Sequence, residues 1–231
     1  MTHRIGTRFE SSLHRDLKEN YTGQGGQTEA EVGRFVADGI NADGEYIEIQ
    51  TGSFAPLRKK ALELALRGRL RIIYPVIISK YIEVFDAEGK LCYRRKSPRR
   101  GNPWDLFYAL VYAPELPLIS GIAIELVIID ALEQRIQDGK GSWRRRGLSI
   151  QDRRLLQVHE CICLKNPPDY LRFVPFSYNE QFTSEMLREK TGIPIVLARK
   201  TLYVLSKMGL VERVGKQGKA QVYQLIPLQK P

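Results

Sequence analysis

The chain has 231 residues, 43% of them hydrophobic, which is enough for one domain of ordinary size and a small second module. Its formal net charge of +10 favours a polyanionic partner such as nucleic acid, although a basic surface can also simply be solvated. Three cysteines exclude a disulfide framework, no apolar segment follows Met1, and the apolar run 122–129 is too short to cross a membrane, so we expect a soluble, cytoplasmic protein without a membrane partner.

The first 80 residues predict a helix, a hairpin, a second helix and a buried strand. Thr7 can cap a helix over residues 8–21, and Glu10 lies in its first turn. After a glycine-rich loop at 21–28, two strands at 33–40 and 45–51 flank a turn at 41–44. A helix at 53–68 and a continuously apolar strand at 70–78 follow. This order is typical of an α/β core.

The middle of the chain predicts further strands and then a break. Residues 81–85 and 91–95 form a hairpin pattern, and strands are predicted at 122–129 and 155–164. Consecutive prolines disfavour both helix and strand pairing, so Pro167-Pro168 predicts a linker at 166–178 between domains at 1–165 and 179–231. One strand face carries His159, Cys161 and Cys163, which are either metal ligands or, more commonly for such residues, part of a buried core.

The second domain has the element order of a small α+β winged-helix domain. A helix at 183–190 and a tight turn precede a second helix, which Pro194 opens and Gly209 ends. Strands at 210–214 and 220–225 then flank a basic turn. The DNA-binding candidates are the outward residues of the second helix, Arg199, Lys200, Tyr203 and Lys207, with Lys216 and Lys219 on the wing. Alternatively, this domain binds protein and its basic face is solvated.

Two further basic runs carry neighbouring aromatic residues, at 93–100 and 143–146. Arginine pairs with phosphate and aromatic rings stack on unpaired bases, so both runs are candidate nucleic-acid contacts. Either run could instead be a disordered loop.

An acidic group stands in the predicted hairpin at 33–51. Because strand side chains alternate, Glu48 and Gln50 share one face while Ile49 points to the other. Asp38 joins the face of Glu48 only if an odd number of residues connects the two strands. The apolar residues Phe35 and Ala37 favour that odd connection.

Such carboxylates suit Mg²⁺ or Mn²⁺, which prefer oxygen ligands and promote phosphodiester hydrolysis by activating water. A positive charge is also needed near the phosphate, and Gln50 supplies none. In the helix at 53–68, the periodicity of Leu57, Ala61 and Leu64 places Lys60 beside the inward stripe and Lys59 outside it. Lys60 is therefore the candidate cation.

Residues 7–78 resemble the PD-(D/E)XK nuclease superfamily. Glu10 is similar to its helical acid, Asp38 to the acid of its second strand, and Glu48-Ile49-Gln50 to its E-x-K signature with glutamine at the lysine position. The resemblance implies a restriction-endonuclease-like mixed sheet flanked by helices. It also implies Glu10, Asp38 and Glu48 as metal ligands and Lys60 in place of the missing lysine.

Each of these residues also has a structural interpretation. Glu10 can form a capping box with Thr7, and Asp38 can be a turn residue. Glu48 and Gln50 can form the wet face of an edge strand, and Lys60 can be a solvated flank.

The sequence thus predicts a metal-dependent DNA endonuclease in which the winged helix holds double-stranded DNA. Cutting both strands with one site per chain favours a homodimer. The alternative is a catalytically degenerate DNA-binding or regulatory protein that uses the winged helix. An RNA-directed nuclease is also compatible with these residues.

Overall fold

A computed structural model describes residues 10–227 and has mixed α/β architecture, with helices flanking a large mixed sheet. The elements are α1 (Ser12–Thr22), β1 (Gln27–Val32), β2 (Phe35–Ile40), β3 (Tyr46–Ile49), α2 (Arg58–Ala65), β4 (Leu70–Phe85), β5 (Leu91–Lys96), α3 (Leu106–Leu110), β6 (Ile122–Gln137), β7 (Leu148–Leu164), β8 (Phe182–Thr183), α4 (Ser184–Thr191), α5 (Ile195–Lys207), β9 (Val211–Gln217) and β10 (Ala220–Leu225). The predicted α/β class is confirmed.

The large sheet has seven strands in the order β1-β2-β3-β4-β6-β7, with β5 paired to β4. Strands β3, β4 and β6 are parallel neighbours, and the remaining pairs are antiparallel. The first part of β4 pairs with β3 and its last part with β5, as the predicted hairpin at 81–95 required. Strands β4, β6 and β7 are longer than predicted because each continues through a polar, partly exposed extension. The glycine-rich segment predicted as a loop also ends earlier, where β1 begins at Gln27.

Helix α1 covers one side of the parallel strands. Its apolar residues Leu13 and Leu17 pack in a cluster with Ile47, Ile49 and Ile73. The helix begins at Ser12, so the predicted start at residue 8 is wrong and Glu10 precedes the helix. Thr7, the predicted cap, lies outside the described residues.

The start of α1 is fixed by local and distant contacts. The Ser11 side chain accepts a hydrogen bond from the His14 backbone N–H. Ser12 also donates both its backbone N–H and its hydroxyl to Asp152 on β7, at 2.8 and 2.6 Å. These contacts place the first turn of α1 against the far strand of the sheet.

Helix α2 covers the other side of the sheet through Ala61 and Leu64, which pack in one core with Leu70 and Ile72. It begins at Arg58 rather than at the predicted residue 53, because residues 55–57 form a turn. Among residues 10–227, no helix is both long and apolar enough to cross a membrane.

The segment predicted as a linker contains a 3₁₀ helix, Pro167–Phe173, with Tyr170 and Phe173 buried. Its two prolines occupy the first helical positions, where a backbone N–H is not needed, so they start this helix rather than prevent it. The Phe173 ring packs edge-on against Trp104 and Phe107, with centroids 5.5 and 5.0 Å apart.

After this segment, Thr183 caps α4 and Gly192, in the left-handed region, ends it. Helix α5 and the β9–β10 hairpin follow, and β8 pairs with β10. Leu197 and Leu202 of α5 share one core with Leu106 and Leu110 of α3, so this part of the chain packs directly on the preceding part.

Candidate active site

Asp38 and Glu48 form a neighbouring acidic pair on β2 and β3. The connection between these strands spans residues 41–45, and Gly39 pairs with Ile47, which confirms the odd connection predicted from side-chain alternation. The Asp38 backbone N–H donates to Glu48 Oε1 at 3.1 Å, and the Ile49 N–H donates to Asp38 Oδ2 at 2.7 Å. Each carboxylate is therefore held by the backbone of the other strand.

Lys60 supplies a cation to this pair from α2. Its Nζ lies 2.5 Å from Glu48 Oε1, whereas the Lys59 side chain is exposed, as the helical periodicity predicts. Burial and the negative charge of Asp38 raise the pKa of Glu48 to about 7, although Lys60 acts in the opposite direction. Burial and mutual repulsion therefore disfavour the state in which both carboxylates are charged.

His14 connects the pair to Glu10. The His14 ring places Nε2 3.3 Å from Asp38 Oδ2 and Nδ1 2.5 Å from Glu10 Oε1. Lys18 Nζ contacts the same Glu10 oxygen at 2.8 Å. Burial alone would lower the pKa of His14, but the contacts with Asp38 and Glu10 outweigh it and raise this pKa. Correspondingly, the pKa values of Glu10 and Asp38 are lowered despite their burial.

Glu10 therefore reaches Asp38 through His14 rather than joining the acidic pair directly. Sequence reasoning missed His14 and Lys18. A signal was present, because residues 10, 14 and 18 are spaced by four and such residues lie on one side of a helical segment. In the structure, His14 and Lys18 both contact the carboxylate of Glu10.

Gln50 lies at the end of β3 and fixes the turn that follows. Its Nε2 donates to the Ser53 carbonyl oxygen at 2.5 Å, and its backbone N–H donates to the Ile73 carbonyl at 2.8 Å. The amide is thus oriented by the turn, and its carbonyl oxygen remains to accept a hydrogen bond from water or a ligand.

The acidic pair offers suitable atoms for a divalent cation. Contacts within residues 10–227 use Asp38 Oδ2 and Glu48 Oε1, which leaves Asp38 Oδ1 and Glu48 Oε2. Mg²⁺ is usually bound through one or two carboxylates and keeps several waters, so two such oxygens fit it. In the described part of the chain, no group of three or more His, Cys, Asp or Glu side chains has an arrangement that would hold a metal ion. Any ion here would therefore depend on water or substrate for its remaining ligands.

The basic residues predicted for the second domain have different environments. Arg199, Tyr203 and Lys207 are exposed on α5, and Lys216 and Lys219 are exposed around the β9–β10 turn. Lys200 differs from the outward orientation predicted for it because it is half-buried, with Nζ 6.0 and 5.4 Å from the ring centroids of Tyr108 and Tyr112.

The other basic runs lie in the extension of the sheet. All six residues of β5 are exposed. Trp143 is 82% exposed at a 3₁₀ turn between β6 and β7, with the Arg144 guanidinium 5.4 Å from its ring centroid. Residues 93–96 of the first run belong to β5, and residues 143–145 of the second form the 3₁₀ turn.

The buried-core interpretation of His159 and Cys161 is wrong. Both side chains reach the surface, where His159 Nε2 lies 3.1 Å from Asp130 Oδ1 and Cys161 Sγ lies 3.5 Å from the Tyr21 hydroxyl. Cys163 is half-buried on the same strand.

These features define a mixed α/β protein in which a buried glutamate and a half-buried aspartate lie beside a lysine and a histidine at one end of a hairpin. Residues 11–165 match the family described as Domain of unknown function (DUF8091), and the chain belongs to that family. It is 26% identical over 224 residues to an uncharacterized protein of Treponema pallidum (strain Nichols). The aligned residues cover 96% of this chain and 88% of that relative. No solved structure matches the chain. The family match includes His14, Asp38, Glu48 and Lys60 and ends before α4 and α5.

Proposed function

We propose that this protein is a metal-dependent nuclease that hydrolyses phosphodiester bonds in nucleic acid, within a restriction-endonuclease-like fold of the PD-(D/E)XK type. The observation that carries the proposal is the acidic pair Asp38–Glu48 with Lys60 Nζ 2.5 Å from Glu48. Two adjacent carboxylates and a cation are the groups that phosphoryl chemistry requires, because an ion and a positive side chain must both face the phosphate.

Asp38 Oδ1 and Glu48 Oε2 are the oxygens that would hold Mg²⁺ or Mn²⁺. The bound ion would activate a water and offset negative charge on the phosphate. Lys60 neutralises Glu48 in the free protein, and its flexible side chain can turn to a phosphate oxygen when substrate is present. The carbonyl oxygen of Gln50 is available to orient the attacking water.

His14 acts as a positioning residue in this proposal. Its Nε2 and the backbone N–H of Ile49 both contact Asp38 Oδ2, while Glu10 holds the imidazole and Lys18 holds Glu10. Glu10 thus contributes through His14, which replaces its predicted role as a direct metal ligand.

A winged-helix arrangement of α4, α5 and the β9–β10 hairpin would supply the nucleic-acid contacts, with double-stranded DNA as the expected partner. Lys216 and Lys219 stand exposed around the hairpin turn, where they can reach phosphates. The net charge of +10 supports association with a polyanion. Cleavage of both strands by one site per chain would again favour a homodimer.

The test is cleavage of plasmid DNA, duplex oligonucleotides and RNA with Mg²⁺ or Mn²⁺. We expect Asp38→Asn and Glu48→Gln to reduce cleavage by at least about 100-fold, the scale of a single catalytic group. Asp43→Asn is the matched control, because this exposed carboxylate belongs to the same hairpin. Absence of cleavage with either metal, or equal cleavage by all four proteins, would contradict the proposal.

A catalytically inactive DNA-binding protein is the second candidate. Two observations favour it: Lys60 already neutralises Glu48 without a metal, and the Gln50 amide donates to Ser53. It predicts salt-sensitive DNA binding that strengthens in Asp38→Ala, since a repelling carboxylate is removed, without turnover by either protein.

A further inference from the structure

Helix α5 does not present its basic side to open solvent along its whole length. Helix α3 packs beside it, and an open groove of about 370 Å³ lies between them. The α3–α5 groove is lined by Val111, Val196, Arg199, Lys200 and Tyr203. It therefore combines residues from both parts of the chain.

Aromatic rings and cations lie next to one another at this groove: Tyr203 and Lys200 line it, and Tyr112 follows the lining residue Val111 in the chain. Lys200 Nζ lies 5.4 Å from the ring centroid of Tyr112, and Lys207 Nζ lies 5.8 Å from that of Tyr203. The rings remain accessible, since Tyr112 is 56% and Tyr203 is 40% exposed. The groove thus offers flat aromatic surfaces beside positive charge.

This arrangement leaves little space for an intact duplex against α5. A helix with its side chains is about 10–12 Å across, and the DNA major groove is about 12 Å wide. A helix that enters the DNA major groove must therefore be free of other protein on both flanks. One flank of α5, however, is occupied by Tyr108, Val111 and Tyr112. The residues Arg199, Lys200 and Tyr203 face this occupied flank.

An unpaired strand carries chemical groups that match those of the groove. Its bases can stack on Tyr112 and Tyr203, because every base has a π face, and its phosphates can pair with Arg199 and Lys200. We propose that the α3–α5 groove binds an unpaired strand of nucleic acid. This inference rests on the proposed action on nucleic acid.

The groove and the acidic pair are carried by adjoining segments. Gln50 bonds to the Ser53 carbonyl, and the next residue, Phe54, donates its backbone N–H to the Ala109 carbonyl of α3 at 3.4 Å. Arg58, at the start of α2, also forms an ion pair with Glu115, beyond α3. Helix α3, which borders the groove, therefore also contacts the turn between Glu48 and Lys60.

The proposal is tested by binding in EDTA, which removes cleavage from the measurement. Fluorescence anisotropy would compare labelled single-stranded DNA, single-stranded RNA, a blunt duplex and a forked duplex of matched sequence. We expect the fork and at least one single strand to bind more tightly than the blunt duplex. The single-stranded arms also show whether deoxyribose or ribose strands are preferred.

Alanine variants then locate the binding surface. Tyr112→Ala and Tyr203→Ala should each weaken single-strand binding by about 5- to 150-fold, the range of base–aromatic stacking. Tyr178→Ala is the matched control, because Tyr178 is 39% exposed against 40% for Tyr203 but lies outside the groove. Lys200→Gln gives a second test that removes charge and keeps both rings, and thermal unfolding checks that each variant is folded.

Equal affinity for single strands and blunt duplex, or unchanged single-strand binding in the folded groove variants, would overturn the proposal. So would a change of oligomeric state in these variants by light scattering without a change in binding, which would make the groove an interface between copies. Loss of cleavage in Asp38→Asn with intact groove binding would leave both proposals standing. Absence of binding to any nucleic acid would instead overturn the proposed function itself.

Discussion

Two carboxylates are almost fully buried in the same sheet, yet their surroundings are opposite. Glu133 is 1% exposed and contacts three cations, with Lys80 and Arg153 at 2.9 Å and Arg135 at 2.5 Å. Glu48 is 5% exposed and contacts one cation, Lys60, while a second carboxylate adjoins it. Glu133 therefore has an excess of positive partners, whereas Glu48 has one cation and a neighbouring carboxylate that repels its charge.

The pKa values follow this difference. Burial would raise the pKa of Glu133, but hydrogen bonds from Lys80, Arg135 and Arg153 lower it to about 2. For Glu48, burial and Asp38 together raise the pKa to about 7. The raised pKa of Glu48 makes it a candidate ligand-binding residue, whereas the lowered pKa of Glu133 indicates an acid whose charge is fully paired within the fold. Burial of an acid alone would not separate these two roles.

The largest expected effect is the loss of stability on Glu133→Gln. This substitution leaves three cations around a neutral amide, and breaking a buried ion pair costs about 3–5 kcal/mol. Chemical denaturation monitored by circular dichroism would measure the change in unfolding free energy. Glu160→Gln is the control, because Glu160 is exposed on the neighbouring strand β7. A change below about 1 kcal/mol in Glu133→Gln would contradict the structural role.

Next in size are opposite pH dependences for the two acids, each of about 1–3 kcal/mol. The stabilisation from Glu133 is full above about pH 4.5 and is lost as the pH falls towards 2, since its folded pKa is lowered. The contribution of Glu48 is full below pH 4.5 and is lost as the pH rises through about 7, since its folded pKa is raised. Unfolding free energies of wild type, Glu133→Gln and Glu48→Gln across this range would measure both. Difference curves of the same sign would refute the comparison.

The arrangement of the site could be predicted more completely than the lengths of the long strands, because it follows from side-chain alternation and helical periodicity, which are local properties of the sequence. Alternation along β3 and the odd connection bring Asp38 to Glu48, and helical periodicity distinguishes Lys60 from Lys59. These rules need only neighbouring residues. The roles of those residues in catalysis remain predictions.

The extension of the sheet depends instead on distant partners. Lys80 and Arg153 are charged, and charged residues are usually exposed at the surface. It is the pairing of β4, β6 and β7 that brings both of them to Glu133. The start of α1 is likewise fixed partly by Asp152, which is 140 residues from Ser12 in the chain. No local pattern contains such contacts.

A smaller effect is expected for Asp38→Asn. The contacts with His14 and the Ile49 N–H lower the pKa of Asp38, so the fold favours its charged form. The amide relieves the repulsion of Glu48 and can still accept from the Ile49 N–H, but it loses the charged contact with His14. Because these effects oppose each other, we expect the unfolding free energy at pH 8 to change by less than about 1 kcal/mol. Thermal unfolding beside Asp43→Asn would measure it. A decrease of several degrees in Tm would show that Asp38 is a structural residue like Glu133.

The smallest effect separates the two lysines of α2. Lys60 opposes the rise in the pKa of Glu48, so Lys60→Gln should raise this pKa above about 7, by roughly one pH unit. Lys59→Gln should leave it unchanged, because the Lys59 side chain is exposed. Carboxyl ¹³C NMR of Glu48 during a pH titration would measure both variants. Equal titration in the two variants would mean that the pKa of Glu48 is set by burial and Asp38 without a contribution from Lys60. The contrast with Glu133 would then no longer point to a ligand site.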